Sequence, residues 1–105
     1  MLEIAIDKVG EVVILARDIE NKHAEFDAFV AALNDDEKAH LVALMWVGRG
    51  SFEPEDWDDA VRTAYREATT PTATYLKGSL HLADHLENGL DALGISAMEA
   101  EDDVY

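Results

Sequence analysis

Residues 34 to 50 read Asn34-Asp-Asp-Glu-Lys-Ala-His-Leu-Val-Ala-Leu-Met-Trp-Val-Gly-Arg-Gly50, and this stretch decides the fold. The Asn34 side-chain oxygen can accept from backbone N–H groups, and Glu37 stands three residues on, the spacing of a capping box. Asp35 and Asp36 place negative charge where a helix dipole favours it. Leu41 to Val47 then covers nearly every direction around a helix, so this helix must be buried on most sides. Gly48-Arg49-Gly50 is expected to stop it, because glycine takes the left-handed conformation at little cost.

Upstream, Asp7 is the expected N-cap of a first helix running to about Asn21. Val9, Val12, Val13, Ala16 and Ile19 share one side of it, Ile14 points the opposite way and Leu15 lies at the margin. Phe26, Phe29, Val30 and Leu33 form a second stripe, rotated by about a quarter turn at 100° per residue. That change of phase predicts a break or kink between residues 21 and 24. Downstream, Pro54 suits a first helical position. Trp57, Ala60, Val61, Ala64, Tyr65 and Ala68 give an amphipathic stripe, with Asp58 and Arg62 as a surface pair behind it. Thr70-Pro71 opens a short helical segment through Tyr75 and Leu76. Gly78-Ser79 is expected to end that segment and cap a last helix, whose seam is Leu82, Leu86, Leu90 and Leu93 and whose end is Gly94. No sustained period-two alternation and no hairpin signal appears. The expectation is an all-α, single-domain bundle of about five helices with no sheet over residues 1–94, then an acidic, mobile tail over 95–105.

The same residues carry a family resemblance. Ala32 to Gly50 resembles the signature of a bacterial domain-of-unknown-function family, number 3775. Glu55-Asp-Trp-Asp58, Thr74-Tyr-Leu-Lys-Gly78 and Leu86 to Gly94 are similar to its later motifs. The resemblance covers Ile4 to Gly94, and its most specific part is Trp46-Val-Gly-Arg-Gly50 with Glu55-Asp-Trp57. Family members carry a longer segment after the first helix, and this chain is short there, between about Asp18 and Phe26. The resemblance implies a helical domain and implies no activity.

Charge narrows the partners. The chain has 23 acidic against 8 basic side chains and a formal charge of −15 over 105 residues. Such a surface repels nucleic-acid phosphates and anionic lipid, so neither nucleic acid nor membrane is an expected partner. A basic protein partner suits it. Cysteine is absent, which excludes disulfides, thiolate metal sites and a cysteine nucleophile. The start, Met1 to Val13, shows no basic region and no small-residue cleavage site. The longest apolar run, Leu41 to Val47, falls far short of the roughly 20 residues that cross a bilayer. A cytoplasmic location is expected.

Several patterns bear on chemistry. Glu20-Asn-Lys-His23 and Glu37-Lys-Ala-His40 are two Glu-x-x-His motifs, each placing both side chains on one helix face, as in di-iron carboxylate bundles. Such a site needs further ligands, for which Glu67, Asp84 or Glu87 would have to serve. Against it, Glu37 already has a capping role, and Glu20 and His23 fall at a helix end. His81 and His85 are one turn apart, and His81-Leu-Ala-Asp-His85 resembles an inverted zinc-protease motif with Asp84 in place of Glu. No third ligand is evident, and both histidines read as solvated boundary residues. Asp56-Trp-Asp-Asp-Ala lacks the glycine and glutamate of an EF-hand. Ser51, Ser79 and Ser96 have no elbow motif, and Gly48-Arg-Gly50 is no phosphate loop.

The last pattern is Trp46, Arg49, Asp56 and Trp57, which would converge where the central helix turns into the next. Arg49 there would grip a carboxylate or ligand anion, or else pair with Asp56 or Asp59 and lock the turn while the tryptophans fill the core. Taken together, the sequence predicts a non-enzymatic protein-interaction or structural domain without cofactor, acting as a homodimer. The dimer is inferred from apolar excess: Ile14 and Leu15 on the first helix, and Val42 with Trp46 opposite Leu41, Leu44 and Met45. A metal-binding helical protein and an acidic binder of a basic protein partner are the alternatives.

Overall fold

The Asn34 side chain accepts from the Glu37 N–H at 2.8 Å, and the Glu37 carboxylate accepts from the Asn34 N–H at 2.9 Å. This capping box fixes the start of the central helix, as its sequence predicts. The computed structural model describes residues 2–68 and 70–95. Among them are six α-helices and no strand: α1 (Ile6–Arg17), α2 (Ile19–Ala31), α3 (Asp35–Arg49), α4 (Trp57–Arg66), α5 (Thr72–Lys77) and α6 (Leu82–Ala92), with a 3-10 turn at Pro54–Asp56 before α4. The protein is an all-α domain.

α3 is the core helix. It packs against α6, α4 and α5, while α1 packs on α2 and α6, and α2 on α5. Every residue from Ala39 to Val47 is buried. Leu41, Leu44 and Leu86 are fully buried, each contributing about 1.5–3 kcal/mol relative to an exposed side chain. Among the described residues, ion pairs join helices across the surface: Lys8 of α1 with Glu37 of α3 at 2.6 Å, Lys77 of α5 with Asp27 of α2 at 2.7 Å, and Arg17 of α1 with Glu87 of α6.

Several local expectations are corrected. α1 starts at Ile6 with Ala5 as its N-cap, and Asp7 sits inside the first turn, where its charge faces the helix dipole. It ends at Arg17, because Asp18 leaves the helical region (φ −121, ψ 36). A second departure at Lys22 (φ −126, ψ 21) kinks α2 inside the window where the apolar stripe changes phase. α3 ends within Gly48-Arg49-Gly50 as expected, but Gly48 is not the residue that stops it. It lies in the last turn, and Gly50, with φ +87, is the C-cap. Ser79 does not cap α6, whose N-cap is His81 in the left-handed conformation. Arg62 pairs with Asp59 at 2.7 Å, not with Asp58.

The apolar excess on α1 and α3 is covered within the chain. Leu15, Val42 and Trp46 are all buried, and Ile14 is half-buried. Helices lie on three sides of α3, and that accounts for the coverage without a second subunit. Gly94, with φ +82, closes α6 as expected. Ile95 donates to the Leu90 carbonyl at 2.7 Å and packs half-buried on the core, so it belongs to the helical domain. The rest of the expected tail, 96–105, lies outside the described residues.

Candidate functional site

Three helices around Trp46 leave a groove of about 740 Å³ between α3, α4 and α5. Its floor is the Ala39, Val42 and Trp46 face of α3, three positions at helical spacing. Trp46 is 7% exposed. Its ring stacks on Phe52 with centroids 5.7 Å apart, and Tyr75 meets it edge-on at 6.5 Å. The indole Nε1 donates to the Tyr75 hydroxyl at 2.9 Å, which ties α5 to α3. Across the groove, Tyr65 of α4 donates its hydroxyl to the Asp36 carboxylate at the start of α3. Tyr65 and Tyr75 stay 45% and 40% exposed as residues. Each ring is anchored at its polar tip and presents an apolar face to solvent, the geometry of a preorganised aromatic contact surface.

The groove is acidic at its rim. Asp35 and Glu67 line it, opposed by Lys38, and Asp36 stands behind Tyr65. The hydrogen bond to Asp36 is the main reason the Tyr65 hydroxyl is pushed up to about 12, with burial and the charges of Asp36, Glu3 and Asp35 adding to it. No histidine or serine lines the groove among the described residues. Its lining offers apolar and aromatic faces, two carboxylates, one lysine and the hydroxyls of Thr70 and Thr72.

The four residues expected to converge do not act as one cluster. Trp46 faces Phe52 and Tyr75, whereas Trp57 meets His40 edge-on at 5.5 Å. Arg49 is exposed and donates from Nε to the Ser51 hydroxyl at 3.0 Å, and Asp59 is engaged by Arg62. Asp56 is exposed at the end of the 3-10 turn. Only Trp46 enters the groove.

The histidine and glutamate pairs are equally dispersed. Glu20 and His23 are exposed, on either side of the kink at Lys22. Glu37 is committed to Asn34 and Lys8, and these two contacts, Lys8 first, hold its carboxyl below the usual carboxylate range. His40 is buried and accepts from the Glu3 N–H through Nδ1 at 3.0 Å, with burial pulling its pKa down. His81 precedes α6 instead of lying on it, exposed, with its ring 6.5 Å from that of half-buried His85. Among the described residues no three His, Asp or Glu side chains gather as a metal ion requires.

The sequence reading missed the tyrosines. Tyr65 appeared only as part of an apolar stripe, although a phenol on such a stripe needs a partner for its hydroxyl. A family model described as a protein of unknown function, DUF3775, matches residues 23–95. The chain belongs to DUF3775. The matched segment holds every helix that builds the groove, so the groove lies wholly within the DUF3775 unit, while α1 precedes it. No curated protein and no solved structure matches the chain. Membership of DUF3775, a family of unknown function, assigns no activity to the chain, and among the described residues no helix is long and apolar enough to cross a membrane.

Proposed function

We propose that this chain is a non-enzymatic interaction domain that holds a basic segment of a protein partner in the groove between α3, α4 and α5. The observation that supports this reading is the pair of anchored, half-exposed tyrosines, Tyr65 and Tyr75, flanking Trp46 beneath an acidic rim. Aromatic faces attract cations as well as apolar groups. Asp35 and Glu67 outweigh Lys38 in the lining, Asp36 lies just beyond Tyr65, and the chain's charge of −15 steers a basic partner toward the groove. The same account places this work in the cytoplasm, in keeping with a chain that has no disulfide to form.

The test uses Trp46 as reporter. Trp57→Phe leaves it the sole tryptophan. A synthetic peptide alternating arginine and leucine should change the Trp46 fluorescence saturably, and added NaCl should weaken the binding. Tyr65→Ser should reduce affinity by about tenfold, the loss of one aromatic anchor. An acidic peptide of equal length should not bind. Equal binding of both peptides, or indifference to Tyr65→Ser, counts against the proposal.

A further inference from the structure

The turn between α5 and α6 carries Leu80, whose side chain is 81% exposed. The next residue, His81, holds φ +60, a left-handed conformation uncommon outside glycine. Leu80 forms part of the lip of a cavity of about 350 Å³ whose apolar wall also includes Ala16, Ile19, Phe26, Leu76 and Leu82. A protruding leucine and an apolar hollow thus share one face. We propose that a second copy of this chain docks here, each Leu80 seating in the other's cavity across a twofold axis. Isologous contact needs a surface that complements itself, and a knob beside a hole on one patch provides it.

Charge selects the occupant. At −15, two copies repel over most of their surface. Around this cavity the repulsion is cancelled locally: Arg17 pairs with Glu87, and Lys77 with Asp27. The lining itself sets Arg17 and Lys77 against Asp84. A second copy therefore meets a mixed-sign rim that suits its own. This face shares no lining residue with the tyrosine groove on the α3–α4–α5 side. The inference stands on Leu80 and its cavity, independently of the apolar residues of α1 and α3 that the chain covers by itself.

Sedimentation equilibrium of the full chain tests it. The protein should dimerise reversibly at micromolar to millimolar concentration. Leu80→Glu should weaken association by about tenfold or more, since a seated leucine is replaced by a charge. Leu80→Met should keep it. Both variants alter an exposed side chain, and unchanged helicity by circular dichroism would confirm that they fold. Leu80→Ser, without the charge, should also weaken the dimer. A monomer at all concentrations, or a dimer that Leu80→Glu leaves intact, overturns the proposal.

Discussion

Gly48 of α3 lies so close to α6 that a Cβ on it would sit 1.6 Å from the His85 carbonyl oxygen. The crossing is tight from both sides, since a Cβ on Gly89 would come within 2.4 Å of the Leu44 carbonyl. Backbone meets backbone here, so no side chain can swing aside. Gly48→Ala must push the two core helices apart and should cost about 3 kcal/mol or more, at the upper end of overpacking. Gly50, whose φ is +87, has open space around its Cβ position. Gly50→Ala should cost only about 1–2 kcal/mol through its backbone conformation. Urea denaturation of the two variants checks the order.

Acid should loosen the amino-terminal segment. His40 is buried among α3 and Trp57 and accepts the Glu3 N–H through Nδ1. Burial lowers its pKa, opposed by the carboxylates of Glu3 and Asp36. The unfolded chain therefore takes up this proton first. The stability linked to His40 is complete above the ordinary histidine value of about 6.5 and falls as pH drops from there toward the lowered value. A protonated Nδ1 can no longer accept from Glu3. Nuclear magnetic resonance should find the His40 ring titrating below the ordinary histidine value of about 6.5, with the Glu3 amide losing protection over the same range. Protection that persists after the ring protonates contradicts this.

Alkali should act through Tyr65. Its hydroxyl donates to Asp36, and its pKa is pushed up to about 12, against about 10 in an unfolded chain. The contribution to stability is complete below about 10 and is lost as pH rises toward about 12. Ultraviolet titration should show one of the three tyrosines ionising last. Asp36→Asn, which removes the facing carboxylate, should bring that phenol back toward the ordinary range.

The sequence was most informative where one residue type does one job. Asn34, Glu37 and the apolar run from Leu41 to Val47 specify a capped, buried helix by chemistry alone, and Gly50 and Gly94 mark helix ends. Gly48 was misread because a glycine near a helix end serves either a turn or a close crossing, and only the partner helix decides which. The groove was illegible for a related reason. Tyr65 reaches Asp36 and Tyr75 reaches Trp46 across gaps of 29 residues, and no local pattern records which hydroxyl finds which partner. Leu80 gave no signal either, since one leucine in a turn looks the same exposed or buried.

The function proposed for this chain rests on the α3–α4–α5 groove receiving a basic partner. The most direct measurement is chemical-shift mapping of the isotope-labelled chain titrated with the arginine–leucine peptide. Shifts should concentrate on the Trp46 indole, Ala39, Val42, Tyr65 and Tyr75, with α1 and α6 unaffected. Shifts spread evenly over the acidic surface, or confined to the face around Leu80, would contradict it.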